Sequence, residues 1–143
     1  MAEFTYNPIQ EVEQNQAILL NDSIRCTRGY VFHNNESGIV TLRGIVNNSC
    51  GCFARYQVTF NGNIAIPEGG TIGEISIALA NEGEPIQTSR ARVTPAAAGD
   101  YFNVTSTAII TVPRDCCMHI AIENTSTQSI NVQNANLVVA RIA

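Results

Sequence analysis

The sequence has no lysine and no tryptophan, and only 14% of its 143 residues are charged. All eight cationic residues are arginines, against twelve acidic ones, for a formal net charge of −4. Without a basic patch, a nucleic acid is not an expected partner. No run approaches the ~20 apolar residues that span a bilayer, so no membrane partner is expected. The start, MAEFTYNPIQEVEQNQ, is acidic and polar and lacks the basic and apolar regions of a secretory signal. Export would then need another route, such as cell lysis. No Gly-x-y repeat is present in these residues, so no collagen stalk is expected. The five Asn-x-Ser/Thr triplets are expected by chance in a chain so rich in these residues. Absence of lysine has two readings. One is compositional bias; the other places arginines, with their planar two-pronged hydrogen bonds, in subunit contacts.

Helical periodicity is almost absent too. Two-residue alternation broken by turn residues takes its place. Strands are expected over residues 17–21, 25–32, 38–45 and 55–66, then around Ile75, Ile77 and Leu79, over 86–93 and 101–112, and around Met118, Ile120 and Ile122. PEGG, NEGEP, TPAAAGD and ENTSTQS supply turns. The last strand begins at Ile130. Strict alternation puts Ile130, Val132, Asn134, Asn136, Val138, Ala140 and Ile142 on one face, and Asn131, Gln133, Ala135, Leu137, Val139 and Arg141 on the other. A terminal strand with apolar residues on both faces and amides in its middle is not a typical frayed edge. Strands at short spacing without helices between them predict an all-β, antiparallel two-sheet sandwich. An immunoglobulin-like sandwich is the competing class, and the missing tryptophan argues against it.

Catalytic chemistry has few carriers. His33 lies in a turn, and His119 reads as an exposed histidine beside Cys117 on a strand face. A Cys117–His119 couple would need an orienting partner that no motif supplies. Asp22, Asp100 and Asp115 read as turn residues. There is no phosphate loop, paired-carboxylate motif or nucleophile elbow. The chain is expected to be a non-enzyme without a cofactor.

The ordered series QNQAILLND, SGIVTLRGI, RYQVTFNGNIAIP, IGEISIALANEGEPI, AAAGDYFNVTSTAIITVP and IAIENTSTQSINVQNANLVVARIA resembles the tumour-necrosis-factor/complement-type globular jelly roll. In particular it is similar to the bacterial branch that caps collagen-like spore-surface proteins. It is also similar to small stand-alone proteins of gut Firmicutes and their phages. The resemblance spans residues 14–143, which leaves 1–13 as an extended N-terminal arm. It implies a homotrimer whose inner sheets face the threefold axis, with the last strand in mid-sheet between the first and third. Inner-sheet residues expected near that axis are Arg55, Gln57, Thr59, Tyr101, Asn103, Thr105, Gln133, Leu137 and Val139. The amides of the last strand would there satisfy one another across subunits, or else bond locally within one.

Five cysteines, Cys26, Cys50, Cys52, Cys116 and Cys117, cannot all pair internally. The resemblance implies that Cys50 and Cys52 share one end of the domain with Cys116 and Cys117, with Cys26 close by. A disulfide between the two loops, a weakly signalled zinc site of Cys50, Cys52, Cys116 and Cys117, and free thiols all remain open.

These features lead to the expectation of a trimeric decoration protein on a phage capsid, docked on the major capsid protein through Phe4, Tyr6, Pro8 and Ile9 of the arm. A bacterial cell- or spore-surface protein is the alternative. So is a virion-displayed module that binds surface glycans through loops 34–37 and 81–84.

Overall fold

Alternation along three long strands builds the first of two layers. The computed structural model describes residues 2–23, 30–33, 37–45 and 51–143, without the side chains of Asp22 and Ser23. In chain order the strands are β1 (Ala2–Tyr6), β2 (Gln10–Val12), β3 (Asp22–Ser23), β4 (Val31–His33), β5 (Val40–Arg43) and β6 (Phe53–Ala65). They continue as β7 (Ile75–Asn81), β8 (Glu84–Pro85), β9 (Ala91–Val93), β10 (Phe102–Pro113), β11 (Cys117–Asn124) and β12 (Ile130–Arg141). A single 3₁₀ turn, Gln87–Ser89, is the one helical element among the described residues.

The first sheet runs β10-β6-β12-β1-β3, with β2 also paired to β12; the second runs β4-β5-β11-β7-β8, with β9 on β7. All pairings between strands are antiparallel. The protein is a two-sheet jelly roll. Between the layers lie Phe4, Leu42, Tyr56, Phe60, Ile64, Ile77, Leu79, Ile120, Ile122, Val132 and Leu137, each at most 2% exposed. Each such large side chain contributes about 1.5–3 kcal/mol by leaving water. Tyr56 takes its hydroxyl into this core and donates it to the Arg43 carbonyl at 2.5 Å. Burial pushes the Tyr56 phenol above its ordinary range.

The last strand does lie in mid-sheet. It is flanked by β6 on one side and by β1 and β2 on the other. Its alternation is broken, however. Asn134 takes φ +55, and the β6–β12 register shifts between Gln133 and Asn136. This bulge inserts one residue and reverses the phase beyond it. Ile130 and Val132 point into the core before it, and Ala135, Leu137 and Val139 after it.

The N-terminus departs from expectation as well. Of the expected arm 1–13, the described residues 2–13 do not stand outside the domain. Ala2–Tyr6 pairs with β12 from Ala2↔Val139 to Tyr6↔Ala135, and Gln10–Val12 pairs with the start of the same strand. Ala2, Phe4 and Val12 are core residues. Apolar side chains at alternate positions, next to an unsatisfied β12 edge, gain more by pairing than by staying in solvent.

Two shorter expectations are also revised. Residues 17–21 make only isolated bridges, Ala17↔Glu123 and Leu20↔Ser37. The stretch 86–93 divides into the 3₁₀ turn and β9. Of the strand expected over 25–32, residues 25–29 lie outside the described residues.

Candidate functional site

The two sheets turn chemically different faces outward. On the first sheet the outward phase of β6 carries Arg55, Gln57, Thr59, Asn61 and Asn63, and that of β10 carries Asn103, Thr105, Thr107, Ile109 and Thr111. Short polar side chains clasp across the strands. The Asn103 amide donates to Asn63 Oδ1 at 3.1 Å, Thr105 donates to Asn61 Oδ1 at 3.4 Å, and the Thr59 and Thr107 hydroxyls are 3.2 Å apart. Asn136 donates to Glu3 Oε1 at 2.8 Å. These amides therefore have partners within one chain. Ile109 stands among them 62% exposed.

Of the residues expected on this face, Arg55, Gln57, Thr59, Asn103, Thr105 and Gln133 are on it, and Tyr101 lies half-buried just before β10. Leu137 and Val139 are not. Both are fully buried in the core, because the bulge at Asn134 turns them inward, and Val138 and Ala140 take the outward positions. At the end of the sheet, arginines lie on aromatic rings: Arg55 is 4.7 Å from the Phe53 ring centre and Arg141 is 4.4 Å from that of Tyr30.

The four residues assigned to a docking arm separate. Phe4 is 1% exposed and lies 4.8 Å, ring centre to ring centre, from His33, so it has no surface to offer a partner. Tyr6 packs against the core. Pro8 and Ile9 remain exposed in the turn between β1 and β2.

Cys52, Cys116 and Cys117 are exposed free thiols. The Arg114 N–H donates to the Cys52 carbonyl at 2.9 Å, and the Gly44 N–H to that of Cys116 at 2.8 Å. The start of β6 and the β10–β11 turn thus share one end of the sandwich. No disulfide joins these three cysteines, and no group of three or more His, Cys, Asp or Glu suited to a metal occurs among the described residues. Cys26 and Cys50 lie outside the described residues.

The second sheet faces outward through a cleft. Phe32 of β4 is opposite Thr41 of β5, and Thr41 is opposite His119 of β11. The turn after β7 then closes on His119: the Glu82 N–H donates to the His119 carbonyl at 2.8 Å. Glu82 returns a carboxylate oxygen, Oε1, which accepts the His119 N–H at 2.6 Å and lies 3.0 Å from Nδ1. Glu82 and Gly83 have φ +53 and +82, the paired left-handed geometry of a tight two-residue hairpin turn. The His119 N–H, and then its ring, hold the Glu82 carboxyl below the usual carboxylate range.

Two hollows meet at His119 and Ile39. One, of about 310 Å³, is lined chiefly by Ala17, Glu82, Ala121 and Glu123; the other, of about 260 Å³, by Phe32, Ser37 and Thr41. Of the loops expected at 34–37 and 81–84, Ser37 and Glu82 thus line one cleft; Asn34, Asn35 and Glu36 lie outside the described residues. His119 is on the surface as expected from its strand phase, but nothing in the local sequence identifies Glu82 as its partner. The one available signal was an acidic residue inside the NEGEP turn.

No protein-family model matches the chain, and no curated protein matches it. Solved structures do. The Eiger TNF of S. frugiperda superposes with a TM-score of 0.73 at 12% identity, covering 99% of this chain and 91% of the other. The globular domain of zebrafish complement 1qA gives 0.56 at 12% identity, covering 96% and 94%. The fold is a TNF/C1q-like jelly roll. At such identity the likeness carries the architecture and not the function.

Proposed function

We propose that the chain is a non-enzymatic structural protein. In this reading it assembles as a homotrimer through the outward face of its first sheet and decorates a phage capsid, docked on the major capsid protein. The observation that supports the trimer is the character of that face. Across β10, β6 and β12 it is a broad surface of Gln57, Thr59, Asn61, Thr105, Thr107 and Val138, with Ile109 exposed on its β10 edge. Among the described residues, its charges are Arg55, Arg141, Glu3 and Glu11, on the flanks of that surface. A largely uncharged face on which Asn61, Asn63, Asn103 and Asn136 are already paired loses less on desolvation. Arginines stacked on rings at the margin suit contacts with neighbouring subunits. Docking on a particle then falls to the rest of the domain surface, since Phe4 belongs to the core.

Light scattering coupled to size exclusion tests the assembly: three times 15.4 kDa is expected. A monomer at micromolar concentration overturns the trimer. Co-sedimentation with purified capsids tests the location. A trimer left in the supernatant and recovered instead from cell-surface or spore fractions would replace the virion with the host surface.

A further inference from the structure

The cleft on the second sheet has walls, a floor and charge, and the trimer proposal gives it nothing to do. Its floor is made of small side chains, Thr41 and Ala121. Phe32 and Ile39, 44% and 51% exposed, offer apolar surface on one side. Across from them stand His119, Glu82 and Glu123. Adjacent strands are about 4.8 Å apart and residues rise about 3.4 Å each, so Phe32 and His119 are ~10 Å apart and His119 and Glu123 ~13 Å. Such a cleft holds linked rings better than one small ion.

Among the described residues, the charged side chains that line the hollows, apart from histidine, are the carboxylates Glu82 and Glu123. The Glu123 carboxylate has no hydrogen-bond partner, and its pKa is raised first by burial and then by the nearby charge of Glu84. Glu82 Oε1 is occupied by His119, which leaves Oε2 free toward a ligand. An anionic ligand would be repelled here. A cationic one would relieve the repulsion between Glu123 and Glu84.

We propose that this cleft binds a saccharide that carries a free amino group: the sugar's C–H face lies on Phe32 and Ile39, its ammonium meets Glu123, and its hydroxyls donate to Glu82. The site lies on the sheet opposite the proposed trimer face, so a monomer and a trimer would carry it alike. A size measurement on the same sample separates failure of one proposal from failure of the other.

The test titrates the full ¹⁵N-labelled chain with a glucosamine trisaccharide, its N-acetylated counterpart, and spermidine. The trisaccharide should give saturable shifts at the amides of His119, Ala121 and Glu123, and the acetylated form should bind several-fold more weakly. Glu123→Gln should weaken the trisaccharide about three- to fivefold, the scale of one partly exposed ion pair. Phe32→Ala, folded by circular dichroism, should weaken the trisaccharide and leave spermidine unchanged. Three results overturn the proposal: no saturable shift in the cleft, spermidine binding as tightly as the trisaccharide, or Phe32→Ala without effect.

Discussion

Asn134 donates its backbone N–H to the carbonyl of Asn7 at 3.2 Å, and it does so from φ +55. That bond joins the loop after β1 to the bulge in β12. It fixes where the last strand reverses phase, and hence which side chains fill the core. Asparagine tolerates the left-handed region better than most residues, and β-branched residues tolerate it least. Asn134→Val should therefore destabilise the fold by about 1–2 kcal/mol, while Asn134→Gly should be close to neutral. Urea denaturation of the three proteins measures this. Equal midpoints for valine and asparagine would show that the bulge does not set the strand's geometry.

The same bulge explains why the fold was more legible than the face. Alternation and turn chemistry in residues 55–66 and 101–112 were strong enough to give two antiparallel layers. The inserted residue at Asn134 leaves no trace in composition, so strict alternation keeps Gln133, Leu137 and Val139 on one face, which the family resemblance turns toward the trimer axis. Short β1 was hidden differently. Ala2 and Phe4 alternate with Glu3 and Thr5, but the partner strand lies more than a hundred residues later, and local pattern does not reveal such pairing. His119 and Glu82 are likewise far apart in sequence and meet only because β7 and β11 are neighbours.

Phe4 provides the sharpest contrast between an arm and a strand. In an arm its loss would leave stability unchanged. In the core, at 1% exposure beside His33, Phe4→Ala should cost about 3–5 kcal/mol. Removal of residues 2–6 should be worse, because it also strips hydrogen-bond partners from β12. Chemical denaturation of Phe4→Ala checks this, and a midpoint equal to that of the unaltered protein would restore the arm.

Ile109 and Leu137 separate assembly from folding. Ile109 is exposed on the β10 edge of the proposed trimer face, whereas Leu137, on the central strand β12, is fully buried behind that face. Ile109→Glu introduces a charge that is solvated in a monomer and would be desolvated in a trimer. It should shift the mass from trimer to monomer while far-ultraviolet circular dichroism stays unchanged. Leu137→Ala should cost about 2–5 kcal/mol of folding stability through a core cavity. Analytical ultracentrifugation and denaturation together test the pair. An Ile109→Glu trimer as tight as the original would place the subunit contact on another surface.

Glu82 and Glu123 lie in one cleft and should respond to pH with opposite sign. The Glu82 carboxyl is lowered by the His119 N–H and ring, so its contribution to stability is present above its unfolded pKa of 4.5 and is lost as pH falls through the lower folded value. Glu123 is raised by burial and by Glu84, so its folded form holds a proton that the unfolded chain has already released. Its contribution is present below 4.5 and is lost as pH rises through the higher folded value. At neutral pH, Glu123→Gln should therefore raise the melting temperature, and the gain should shrink toward zero as pH falls to about 4. Glu82→Gln should lower the melting temperature at neutral pH, with the difference closing in acid. Glu84→Gln should raise it as Glu123→Gln does, by a smaller amount, because Glu84 is the lesser of the two causes acting on Glu123. Thermal melts of the three variants from acid to neutral pH measure these differences. A pH-independent gain for Glu123→Gln would mean that the substitution acts through packing and that repulsion between Glu84 and Glu123 is not felt in the folded state.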